Sequence, residues 1–205
     1  MFDLRGAWLS PHYLYDHIDL ETASIEDRIA VFEDRIRGYF TTPSRLLANI
    51  YENSGILILL AVLSCIELIE VLNRGESSSG HSAEFFKSGF RRVFNPQAPP
   101  DVPVEAFEKH LQKMLDDVYV QVRCGLMHVG TTRSKVLISK ELPAPAAIRY
   151  NATQDRAESI TINPNRSLVA LDVFVSEYCR DLRNRSNEDL RMRFDKGWLA
   201  LRSEG

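Results

Sequence analysis

Apolar residues recur every three or four positions along most of this chain, and that spacing predicts a set of amphipathic helices. Ile25, Ile29, Phe32 and Ile36 form the first stripe. Ser24 precedes it as a cap, with Glu26 and Asp27 in the first turn, where acceptors and negative charge satisfy free amides. Gly38 reads as the stop, and Thr42-Pro43 as a restart with proline at the first helical position. In that second helix Leu46, Leu47, Ile50 and Tyr51 are expected to face inward. After a break at Asn53-Ser54-Gly55, residues 55–73 are apolar around most of the circumference in their first half. This is the mark of a central helix covered on several sides. Glu67 and Glu70 then share a face with Leu60 and Leu63.

A short helix over 81–94 carries Phe85, Phe86, Phe90 and Val93 on one side, and the prolines at 96, 99 and 100 end it in a stiff connector. The cleanest stripe follows: Val104, Phe107, Leu111, Leu115, Val118 and Val122. Beyond residue 128 the period changes. Short β-branched runs at 136–139, 147–150 and 159–162, with Pro143 and Pro145 between the first two, predict a small antiparallel hairpin or meander. Asn163-Pro164 reopens helix, with Leu168, Leu171, Val175, Tyr178 and Leu182 as its stripe. A final helix starts near Ser186, with Leu190, Phe194, Trp198 and Leu201 facing one way. The first twenty residues are rich in aromatics and histidines without a period, and Trp8 and the tyrosines are expected to pack down as a lid.

The fold class predicted is therefore mainly all-α, a helical bundle with the small β element inserted before the penultimate helix. One domain over 1–205 is expected, with 1–22 as the lid and 132–162 as the insertion. A hydrophobic share of 44% and a charged share of 26% are those of an ordered globular chain. The net charge of −3 excludes a wholly basic nucleic-acid binder but not a local basic patch. Lys87 with Arg91-Arg92, and the cluster Arg183, Arg185, Arg191 and Arg193, offer such patches. Solvated helix faces balanced by Glu188, Asp189 and Asp195 are the simpler account of them. Three separated cysteines with no C-x-x-C pair, and histidines at 12, 17, 81 and 110 without ligand spacing, give no expectation of a metal. The first residues lack a basic leader, and Glu67 and Glu70 interrupt the apolar helix before the roughly 20 residues a bilayer requires, so a cytoplasmic protein away from membranes is expected.

Candidate chemistry is concentrated at 118–130, V-Y-V-Q-V-R-C-G-L-M-H-V-G, which ends the clean stripe and places Arg123 five residues before His128. Five residues of α-helix are about 7.5 Å of rise and roughly 140° of rotation, so on a straight helix the two side chains diverge. A loosened helix at Gly125, or a second copy across a two-fold axis, lets the pair share a ligand. The arginine presents a planar fork of donors matched to phosphate oxygens, and a histidine with a pKa of about 6.5 exchanges protons near neutrality. Together they suffice for metal-free scission of RNA, one holding the phosphodiester and the other taking the 2′-hydroxyl proton. An arginine in a last helical turn also compensates the macrodipole, and a histidine there also caps carbonyls, so the spacing leaves both readings open.

The run R-C-G-L-M-H-V-G, ending an amphipathic helix and followed by short strands and another helix, resembles the HEPN superfamily (higher eukaryotes and prokaryotes nucleotide-binding domains). The signature of that family is an arginine followed after four to six residues by a histidine, and the likeness extends from about Ile25 to the last helix. Many members are metal-independent endoribonucleases of toxin, anti-phage or RNA-processing systems that work as dimers. Others have lost catalysis and serve as RNA-binding or assembly modules. The resemblance implies a HEPN-like bundle, RNA as substrate, a homodimer, no cofactor, and an antitoxin or operon partner. It makes Arg123 the phosphate-binding residue and His128 the acid/base, and it matches Glu67 or Glu70 to an acidic residue that some members present from the neighbouring helix. Pairing of these glutamates with Arg74, or orientation of Arg123, stands as their alternative role. There is one departure: active members usually carry a polar residue directly after the arginine, often Asn, Asp or His, and here it is Cys124. A reactive thiol is a further reading of that position, although no Cys/His/Asn set accompanies it.

Overall fold

The computed structural model describes residues 8–15, 17–19, 22–98, 102–124, 135–151 and 156–203. The chain is mostly helical, as the 3.6-residue period predicts. Ser24 caps α1 (Ile25–Ile36), its side chain accepting from the Asp27 amide, and the stripe Ile29, Phe32 and Ile36 is fully buried.

Gly38 does not end this helix. The chain continues through a π-helical segment, Arg37–Thr41, directly into α2 (Thr42–Ile50). A π turn admits one extra residue, so every later position is rotated relative to a continuous α-helix. Thr41 and Ser44 therefore face the core, while Leu46 and Ile50 are 60% and 79% exposed. The expectation that Leu46, Ile50 and Tyr51 face inward is thus corrected; only Leu47 is half-buried. Gly38 is required for another reason: a Cβ there would stand 2.1 Å from Pro11 Cγ, in the N-terminal hairpin β1 (Trp8–Ser10) and β2 (Tyr13–Leu14). This hairpin covers α1 through Leu9, Ser10 and the His12–Asp34 pair, not through Trp8, which is 62% exposed. Of the aromatics expected to pack down, Tyr13 lies partly buried against the core, while Trp8 and Tyr15 are exposed.

Helix α3 (Gly55–Arg74) is the axis of the fold, with Ile58, Leu59, Val62, Leu63, Ile66, Ile69 and Leu72 all buried. Contrary to the expectation that Glu67 and Glu70 cut it short, it is long and apolar enough by length and composition to cross a membrane, a property shared by core helices of this kind. Packed around it are α4 (Ser82–Phe94), α6 (Pro164–Arg183) and α7 (Glu188–Ser203). Two of these approach at glycines. A Cβ on Gly89 of α4 would sit 2.6 Å from the Ile66 carbonyl, and one on Gly197 of α7 would sit 2.5 Å from that of Val71. Helix α3 ends at Gly75, whose φ of 76° is the left-handed cap conformation.

Helix α5 (Val104–Val118) buries Phe107, Leu111, Leu115 and Val118 of the expected stripe, with Met114 added and Val104 exposed instead, and packs against α4 and the sheet. The sheet has the order β3 (Val136–Ile138), β5 (Arg156–Ile162), β4 (Ala146–Asn151). β4 and β5 form the expected antiparallel hairpin. β3 corrects the meander, because it runs parallel to β5, with Val136 opposite Ile160 and Ile138 opposite Ile162. Residues 139–145 carry the chain back across the sheet so that β3 can flank β5 on its free side. Asn163 then caps α6, accepting from the amides of Asn165 and Arg166 while its own amide donates to the carbonyls of Lys140 and Leu142.

Candidate functional site

The motif helix changes character before it reaches the arginine. After Val118 the α-helical pattern gives way to a second π-helical segment, Tyr119–Cys124, which contains Arg123 and Cys124. π segments widen the helix and frequently occur at functional positions. This one is held from inside by Val118 and Val122, both fully buried, and by Tyr119, whose ring lies 5.5 Å from that of Phe86 on α4. The straight α-helix assumed for the Arg123–His128 spacing therefore does not apply up to Cys124. The side chains of Arg123 and Cys124, and the whole of His128, lie outside the described residues.

The two glutamates of α3 are described and have different roles. Glu70 has no solvent exposure. Its carboxylate accepts from Arg74 Nε at 2.7 Å, Ser88 Oγ at 2.7 Å and Arg92 Nε at 2.8 Å. Burial alone pushes its pKa upward, but the hydrogen bonds from Arg92, Arg74 and Ser88 outweigh that and hold it below the usual carboxylate value. Glu70 is thus a charged staple joining α3 to α4. Arg74 extends the network to Glu84 at 2.7 Å and lies over the Phe85 ring, 4.6 Å from its centroid. The pairing of Glu70 with Arg74 is the alternative role considered from sequence. Glu67 is half-buried, and its carboxylate accepts from Ser78 Oγ at 2.7 Å, in the loop that follows α3.

Apart from Arg185, the members of the two basic clusters are engaged in ion pairs. Arg91 pairs with Glu108, Arg92 with Glu70 and Lys87 with Asp116, tying α4 to α5 and α3. Arg183 reaches Glu33 at 2.6 Å, Arg191 reaches Glu26 at 2.8 Å, and Arg193 pairs with Asp189 and donates to the Asn73 carbonyl. Among the described residues no group of three or more His, Cys, Asp or Glu is placed to hold a metal ion. Cys65 and Cys179 are buried free thiols. Desolvation pushes Cys65 far above the usual thiol value and Cys179 up to about 12, which makes both poor nucleophiles.

Sequence reasoning missed a cleft beside the motif helix. Lys109, His110 and Lys113 of α5 meet Lys135 and β5 around a cavity of about 640 Å³. Its signal in the sequence was available, a pair of lysines four residues apart on the polar face of the cleanest helix. No protein-family model, curated protein or solved structure matches this chain.

Proposed function

We propose that this chain is a HEPN-like, metal-independent endoribonuclease. The observation that carries the reading is the R-C-G-L-M-H run at 123–128 of the sequence, which follows the amphipathic helix α5 of a mainly helical chain. In this reading Arg123 holds a phosphodiester through its fork of donors and neutralises charge gathering on the phosphate oxygens. His128 takes the proton of the adjacent ribose 2′-hydroxyl. The 2′-oxygen then attacks phosphorus, the P–O5′ bond breaks, and the products carry a 2′,3′-cyclic phosphate and a 5′-hydroxyl. The protein acts in the cytoplasm as a homodimer that brings two copies of the motif together, controlled by an antitoxin or operon partner in a toxin or phage-defence setting. The π-helical segment Tyr119–Cys124 supports the reading, since such segments frequently occur at functional positions.

A second reading rests on Cys124. A thiol is a weak hydrogen-bond donor and does not orient a phosphate or a histidine as an amide or carboxylate does. In that case the protein is a non-catalytic HEPN module that binds RNA or scaffolds an assembly, with Arg123 kept for phosphate contact. Incubating purified protein with RNA in the presence of EDTA, and analysing the 3′ ends, separates the two. Chelator-resistant cleavage leaving cyclic phosphate supports the first; retention of intact RNA on the protein supports the second.

A further inference from the structure

Lys109 and Lys113 stand one turn apart on the polar face of α5, and neither takes part in an ion pair among the described residues. Like charges at that spacing repel. On the other flank of the same helix the pattern is opposite: Glu108 and Asp116 are matched to Arg91 and Lys87 of α4. Both lysines line the cavity, with His110 beside them and Lys135 entering from the start of β3. Lys135 keeps only a 3.7 Å approach to Asp117. Among the described lining residues the carboxylate is Glu158, which is engaged by Asn151 Nδ2 at 3.0 Å and by Arg149 Nε at 3.3 Å. Three lysines therefore border one concave space, and two of them, Lys109 and Lys113, have no ion-pair partner among the described residues.

We propose that this cleft is a phosphate-binding site. Ammonium groups hold phosphates as point charges and read no base, so the recognised chemistry is a phosphate ester. The cavity falls within the range of small-ligand sites, large enough to take a nucleotide unit. The favoured source is the backbone of single-stranded RNA, and for that choice the proposal rests on the reading given above. Its support is the course of the chain: α5 runs on toward Arg123, and Lys135 follows His128 by seven residues. A free nucleotide is the other source of the same chemistry.

The test uses the full chain carrying His128→Ala, so that bound RNA is not cut, and a fluorescein-labelled single-stranded RNA of twelve nucleotides followed by anisotropy. Adding Lys109→Glu and Lys113→Glu is expected to weaken binding at least tenfold. The slope of log K against log salt should become shallower by about 1.4, the change for two lost phosphate contacts on a single strand. Circular dichroism and the melting temperature of the variant should be unchanged, since both lysines are exposed. A parallel titration uses adenosine monophosphate. If it binds as tightly as the RNA and depends on the same lysines, the cleft stands with a free nucleotide as its ligand. RNA and nucleotide binding that ignore the charge reversals, or no binding of either, overturns the proposal. Absence of cleavage by the native chain, alongside lysine-dependent binding by the His128→Ala chain, removes the ribonuclease reading and leaves the cleft.

Discussion

Glu70 accepts a hydrogen bond from Arg92 Nε at 2.8 Å although its carboxylate has no exposure to solvent. A buried charge is tolerated only while its donors are complete, and removal of one leaves the desolvation cost in place. Arg92→Ala is therefore expected to destabilise the fold by about 1.5–3 kcal/mol, the range for hydrogen bonds to charged groups. Adding Glu70→Gln to that variant should recover part of the loss, because the uncompensated charge is gone. Urea denaturation of the single and double variants measures both, and additive losses would contradict the network.

Acid sensitivity follows from the same groups. Desolvation raises the pKa of Glu33, Asp34 and Glu70, but their hydrogen-bonded partners more than reverse it. Those partners are Arg183 and Arg37 for Glu33, Ser10 and His12 for Asp34, and Arg92 with Arg74 and Ser88 for Glu70. A carboxylate whose pKa is lower folded than unfolded contributes stability that is complete above the unfolded value and lost as pH falls through the folded one. The unfolded values are 4.5 for glutamate and 3.8 for aspartate. The melting temperature should thus change little from these groups at neutral pH and fall below about pH 4.5. Glu70→Gln should make that fall shallower. An unchanged acid limb in the variant counts against a depressed Glu70.

Gly89 offers a sharper test of packing. Within a helix, alanine is preferred over glycine by about 1 kcal/mol. Here a Cβ would stand 2.6 Å from the Ile66 carbonyl oxygen, a backbone atom that cannot swing aside. Gly89→Ala is expected to destabilise by about 1–3 kcal/mol, as overpacking does. A stabilised variant would mean that α3 and α4 do not approach this closely.

The helical stripes were legible because their positions depend only on local period: Ile29, Phe32 and Ile36 in α1, and Leu111, Leu115 and Val118 in α5, are buried where the spacing places them. Errors began where a contact distant in sequence decided the outcome. Gly38 has the composition of a helix stop, yet its role is to admit Pro11. The π turn that includes it shifts the register of α2 and turns Leu46 and Ile50 outward, which a fixed 3.6-residue period does not anticipate. The parallel pairing of β3 with β5 likewise depends on where the chain returns, not on any single strand. Of the site residues, Glu70 showed its acidic character in sequence, but not that Ser88 and Arg92 of the next helix would saturate it. The lysine pair of α5 was visible in the sequence, but not that Lys135 would join it, because the packing of α5 on the sheet brings them together.

The cysteines separate by environment. Cys65 and Cys179 should resist a thiol reagent such as Ellman's reagent in the native protein at pH 8 and react only on unfolding. Rapid labelling of either would contradict their burial. At Cys124 the prediction is catalytic: replacing the weakly bonding thiol with Asn should raise RNA cleavage, by up to a hundred- to a thousand-fold if one orienting contact is restored, about 2.7–4 kcal/mol. Cys124→Ala should change the rate little. Loss of robust activity in Cys124→Ala would instead make the thiol itself functional.

The central claim is that Arg123 and His128 act together on one phosphodiester. The most direct measurement is the rate at which purified protein cuts a defined single-stranded RNA in EDTA, compared with Arg123→Ala and His128→Ala chains of matched melting temperature. Each substitution should abolish cleavage, and the native products should carry 2′,3′-cyclic phosphate ends. Cleavage that EDTA suppresses, or that survives in the His128→Ala protein, would contradict the account.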